Sequence, residues 1–204
     1  MHAFAAAALV LAALAPTTDV DPPAEPVTAE IVNFLGRACP EGGLTISVAQ
    51  DNRSFTLSSV GPGIVYAAAG ARTTVRDWRK PCLIGLRIHP PDGYTYAVGS
   101  SSYRGFALLE KGASATLRTS FYFQGHATTH NRSFNFDGPR SDDWAREDHV
   151  GIDELVFHPC GEKRNFNLNV ELRVARGTSD PDTTSYLFRD AGETTWDLHW
   201  RRCP

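Results

Sequence analysis

The densest chemistry in the chain lies between positions 142 and 154, where Asp142, Asp143, Glu147, Asp148, Asp153 and Glu154 crowd around Trp144. Hydrolysis of a glycosidic bond needs two carboxyls flanking that bond, one of them holding its proton. An indole beside them can stack on a sugar ring while the acids accept hydroxyl hydrogens. These residues allow two functional readings: a carbohydrate-active hydrolase with a carboxylate pair from Asp142–Glu154, or a binding surface built on Trp144, Asp142 and Asp143. A solvated loop in which Trp144 caps the core would read the same way. Arg104 is the cation that could join such a site, although the glycine after it, Gly105, also fits a bulge or a close backbone approach.

Other chemistries have less to stand on. There is no Gly-x-Ser-x-Gly, and Ser100-Ser101-Ser102 reads as a polar loop. His126 and His130 share one face of a strand but stand about 13 Å apart there, so they could meet on one metal only if the segment bends. Neither a His-Glu-x-x-His pattern nor an EF-hand loop occurs. No catalytic residue, metal or cofactor is assigned. Twenty basic residues are interspersed with 23 acidic ones, for a net charge of −3. The sequence lacks the basic stripe that nucleic-acid binding requires. The sequons Asn52-Arg53-Ser54 and Asn131-Arg132-Ser133 make Asn52 and Asn131 candidate glycosylation sites for a eukaryotic source.

The chain opens on an apolar run, Ala3 to Ala15, too short to span a bilayer at about 20 residues but suited to a signal-peptide core. Residues 1–17 are read as a signal peptide, 18–26 as a stiff Pro-rich linker and 27–204 as a single domain. No later stretch is apolar enough for a membrane anchor. Four cysteines follow, and Cys39–Cys82 and Cys160–Cys203 have equal sequence separations. In an exported chain such an even set reads as a disulfide framework. Four cysteines allow three pairings, of which this sequential one is expected.

Strands must position these residues. Phe166, Leu168, Val170, Leu172 and Val174 alternate with Asn165, Asn167, Asn169, Glu171 and Arg173, the period of a strand with one face in the core. The polar set also forms a row of amides suited to glycan hydroxyls, as any outward strand face would need polar residues. Cys82–His89 and Trp196–Arg201 alternate in the same way. Shorter strands are expected over Val27–Phe34, Leu44–Ala49, Ser54–Val60, Tyr94–Val98, Phe106–Leu109, Ala115–Phe123, Arg132–Phe136, Glu154–His158 and Thr184–Arg189. Gly/Pro turns such as Gly61-Pro62-Gly63 and Pro90-Pro91-Asp92-Gly93 separate them. Helical turns are expected within Tyr66–Arg79 and over Ser141–Asp148, the latter capped by Ser141. The fold class is all-β: a disulfide-stapled antiparallel β-sandwich, jelly-roll-like, of about ten strands.

Several ordered motifs carry a resemblance. Gly93-Tyr94-Thr95-Tyr96-Ala97, Tyr103-Arg104-Gly105-Phe106-Ala107, Tyr122-Phe123-Gln124-Gly125, Pro159-Cys160-Gly161-Glu162-Lys163-Arg164-Asn165 and a closing Trp200-Arg201-Arg202-Cys203-Pro204 follow one another. From about Val27 onward the chain resembles the small secreted proteins of filamentous fungi and some bacteria grouped as domain of unknown function 4360. The resemblance implies a four-cysteine extracellular β-rich domain and no activity. The expected protein is a secreted monomer that binds cell-wall polysaccharide or an extracellular protein without catalysis.

Overall fold

Strand alternation decides which side chains meet in this chain, and the inward set is mostly apolar. In β10 (Phe166–Ala175), Phe166, Leu168, Val170, Leu172 and Val174 are all buried. Each such side chain contributes about 1.5–3 kcal/mol relative to exposure. The structure is a computed structural model that describes residues 19–204 other than Glu41 and Thr128. The signal-peptide reading and its cleavage position lie outside the described residues.

Two antiparallel sheets pack face to face. The first holds β1 (Thr28–Gly36), β5 (Arg79–His89), β10, β7 (Ser114–Phe123) and β8 (His130–Asp137), in that order. The second runs β2 (Leu44–Val48), β3 (Ser54–Ser59), β12 (Glu193–Arg202), β6 (Tyr94–Leu109), β11 (Thr184–Asp190), β4 (Ile64–Gly70), with β9 (Arg140–Asp148) also paired to β6. β6 joins two segments that the sequence reads as separate strands. It pairs with β12 through its first half and with β11 through its second, while β9 lies along its other edge. Gly63 and Gly192 meet where β3 gives way to β4 and β11 to β12. A Cβ on Gly63 would lie 2.3 Å from Gly192 Cα, so β3 can pass into β4 at this contact only with glycine at position 63.

Three local expectations are corrected. Ser141–Asp148 is strand β9, not a helical turn, because the edge of β6 from Ser101 to Leu109 pairs with it along its whole length. Glu154–His158 is not a strand; it holds the end of a 3-10 turn (Ile152–Glu154) and one isolated bridge, Ala97 to Phe157. Residues 19–26 are anchored along their length, not a free linker. Asp19 accepts hydrogen bonds from the Trp200 N–H (2.8 Å), and the carbonyls of Pro23 and Glu25 accept from Asn52 Nδ2 (2.9 Å each). One helical turn, α1 (Val75–Trp78), does fall within Tyr66–Arg79.

Aromatic packing fills the core: Trp196 stacks on Phe55 at 5.3 Å, and Tyr96 meets Phe123 edge-on at 5.5 Å. Asp148, 1 % exposed, receives Thr119 Oγ1 (2.8 Å), His130 Nε2 (2.8 Å) and Arg132 Nε (3.3 Å). It thereby ties β7 and β8 of one sheet to β9 of the other. Both expected disulfides are present. Cys39–Cys82 pins the turn after β1 to β5, and Cys160–Cys203 pins the loop before β10 to the end of β12. Each closes a loop of sequence separation 43. Loop-closure entropy at that length amounts to about 4 kcal/mol.

Replacing Cys160 and Cys203 together by serine should lower the unfolding free energy by about 2–4 kcal/mol, read by denaturant titration. An unchanged midpoint would show that this bridge restrains nothing. His158 supplies a pH test. Burial against the Tyr96 ring holds its pKa below the ordinary 6.5, opposed by the nearby Glu162 carboxylate, and its Nε2 accepts the Arg164 N–H. The unfolded chain therefore takes up the proton first, and the folded state loses stability as pH falls below about 6.5. His158→Gln should flatten the stability difference between pH 7 and pH 5.5; an identical slope in the variant would remove His158 as its source.

Candidate functional site

β9 divides the acidic stretch between its two faces. Trp144 points inward, 4 % exposed, and packs on Phe136 of β8 at 5.2 Å. It is a core residue and cannot stack on a ligand, which corrects the expectation built on it. Gly105 lies directly beside it: a Cβ there would fall 2.7 Å from the Trp144 ring and 2.1 Å from the Phe188 carbonyl. Asp142 is bound by Arg140. Asp143 and Glu147 are exposed on the outer face, and Asp148 is buried. Glu154 caps the 3-10 turn by accepting the Gly151 N–H at 3.2 Å.

Asp153 and Glu154 do line a cleft, of about 530 Å³, at the open end of the sandwich. Across it stand Thr129, His130, Asn131 and Arg132, over a floor that includes Phe121 and Phe166. The carboxylate behind that wall is Asp148, which already has three donors. The two sides of the cleft therefore do not present a pair of carboxyls to one bond. His130 lies flat on Phe121, ring centroids 4.6 Å apart, as a packed side chain.

The sequons also separate. Asn52 is buried: Oδ1 accepts the Val27 N–H at 3.1 Å and Nδ2 donates to two carbonyls, so a glycan on that nitrogen would displace the hydrogen bonds that seat residues 23–27. Asn52 is thus a structural residue, correcting its reading as an acceptor. Asn131 is exposed on the outer face of β8.

The second sheet carries an outward surface that sequence reasoning missed. Across β4, β11, β6 and β9 the register places Tyr66, Phe188, Phe106 and Asp143 in one row. Ala68, Tyr186, Leu108 and Ser141 form the row on one side; Ile64, Asp190, Arg104 and Ala145 form the row on the other. The rings touch. Tyr186 stacks with Phe188 at 5.6 Å, Tyr66 lies 5.4 Å from Phe188, and Phe106 lies 6.4 Å from it. Tyr66 is 48 % and Ile64 67 % exposed. Beside them is a shallow hollow of about 710 Å³ lined by Ile64, Phe106, Leu108, Phe188 and Asp190. Arg104 pairs with Asp190 at 3.4 Å along its border.

Arg104 and Asp143 thus flank the same aromatic surface, whereas Trp144 lies beneath it and Asp142 is engaged with Arg140. The one available signal was Tyr186-Leu187-Phe188, in which apolar residues occupy both faces of a strand. Tyr66 was hidden in a segment read as helical.

A family described as a domain of unknown function (DUF4360) matches residues 25–203. A relative from Arthroderma benhamiae, described as an uncharacterized secreted protein, is 27 % identical over 182 residues, covering 84 % of this chain and 70 % of its own length. Among the described residues no helix is long and apolar enough to cross a membrane.

If Trp144 serves only the core, Trp144→Ala should cost about 3–5 kcal/mol in stability. The protein that remains folded should bind any ligand as before. Full stability in that variant would contradict the packing described.

Proposed function

Because this chain belongs to the family of domain of unknown function 4360, whose description names no activity, we propose from its geometry that it is a secreted, non-enzymatic module that holds a neutral glycan. The carrying observation is the contiguous outward surface of Tyr66, Phe106, Tyr186 and Phe188. Sugar rings present C–H faces that lie against aromatic rings. Their hydroxyls need hydrogen-bond partners around the edge, and Asp143, Ser141, Arg104 and Asp190 stand there. A rigid sheet face suits an extended polymer, since binding then orders little of the protein. Export is supported by two disulfides, which form in oxidising compartments, and by the secreted relative.

Catalysis has less support, since the carboxyls of the acidic stretch are divided between two faces and a capped turn. Retention on insoluble β-glucan, chitin and cellulose tests the reading. Wild-type protein should be retained by at least one polymer, and Tyr66→Ala with Phe188→Ala should weaken retention at least tenfold with circular dichroism unchanged. Undiminished retention would overturn it. So would a wild-type dimer that the same changes dissociate without any glycan binding, which would make the surface a self-association face.

A further inference from the structure

The opposite face of the molecule, the outer surface of the first sheet, is polar across β10, β7 and β8 between Asn169 and Asn135. Register places Leu83, Asn169, Ser120 and Asn131 in one row across β5, β10, β7 and β8, with Pro81, Glu171, Arg118 and Ser133 in the next. Arg79, Arg173, Thr116 and Asn135 follow. Between these rows runs a groove of about 250 Å³ lined by Arg79, Arg118, Ser120, Asn131, Asn169 and Glu171.

Charge in this groove is unbalanced in a specific way. The Glu171 side chain is only 9 % exposed, and both of its oxygens are taken: Oε2 by Arg79 Nε at 2.5 Å and Oε1 by Arg173 Nε. Arg118 sits directly opposite Glu171 on β7, where paired Cβ atoms are about 5 Å apart, yet it has no ion-pair partner among the described residues. Two guanidinium groups therefore engage one carboxylate, and a third arginine stands in register beside it with its charge unmatched. Outward polar residues alone would need no explanation. A nearly buried glutamate fixing two arginines beside a third, in a chain of net charge −3, is a local built arrangement.

We propose that this groove is a second binding site, for an acidic sugar chain. A guanidinium fork matches the two oxygens of a carboxylate or sulfate, so Arg118, assisted by Arg79, takes the anionic group. One row along, Asn169 and Ser120 offer amide and hydroxyl groups for the hydroxyls of the same or the adjoining sugar. Tyr122, 37 % exposed on the same face of β7, is in register with Asn167 and supplies a ring beyond the amides. Cross-strand spacing of about 4.8 Å sets these groups out at intervals a pyranose chain can follow. The site is independent of the aromatic surface, and the protein can hold a neutral and an acidic polymer on opposite faces.

Calorimetric titration of the full secreted chain with oligogalacturonate, with heparin oligosaccharides and with poly-glutamate of similar charge tests this. Oligogalacturonate should bind with an affinity that falls as salt rises. Arg118→Gln should weaken it at least tenfold and Asn169→Ala severalfold, while Phe188→Ala leaves it unchanged. Both groove residues are on the surface of strands, so thermal unfolding should match wild type. Preference for heparin over galacturonate would keep the acidic-sugar site and assign it to sulfate. Poly-glutamate binding as tight as the sugar would overturn the proposal, because the groove would then read charge alone. Binding unaffected by Arg118→Gln, or no binding by any sugar acid, would also overturn it.

Discussion

A β-strand sends successive side chains to opposite faces, and here the inward set has to fill the space between two sheets. That requirement fixes everything else. β10 can place Asn167, Asn169 and Glu171 outward only because Phe166, Leu168, Val170 and Leu172 are held inward. The same parity drives Trp144 into the core and leaves Asp143 and Glu147 on the surface. A slip of one residue in β9 would expose the indole and bury two carboxylates, each costing far more than any exposed ion pair returns. Buried Asp148 reinforces that register by binding Thr119, His130 and Arg132.

On the proposed reading, function in this architecture belongs to what the outward faces carry. One face is aromatic, the other rich in amides and guanidinium groups. Neither is a deep pocket, and flat faces suit polymers better than small molecules, which need enclosure to gain affinity. Gly105 and the Gly63/Gly192 contact allow β4, β11 and β6 to lie close enough for Tyr66, Phe188 and Phe106 to form one surface. Along the opposite face, Glu171 spends its charge on organising two arginines.

How far the sequence reached depends on where periodicity was strong. β10 and β12 were legible because apolar and polar residues alternate strictly, β5 because every second residue from Cys82 to Ile88 is apolar, and the cysteine spans anticipated the bridges that form. β9 was not: Arg140–Asp148 has six charged residues in nine, and only pairing with β6 makes it a strand. Edge strands often carry such charge. The acidic cluster looked like a site because adjacency in sequence was mistaken for convergence in space, whereas strand parity separates neighbours. The aromatic surface draws on three strands far apart in the chain, so no local window contains it. Asn52 looked like a glycan acceptor by its sequon, yet its amide is consumed by the segment that precedes β1.

Chemical-shift mapping on isotope-labelled protein tests the central claim, that recognition takes place on the outward sheet faces and not in the end cleft. With soluble neutral oligosaccharides the account predicts that shifts concentrate at Tyr66, Phe106, Tyr186 and Phe188 and their strand neighbours, with His130, Asp153 and Glu154 unmoved. Shifts centred on the cleft between Asn131 and Glu154, with the aromatic face silent, would contradict it.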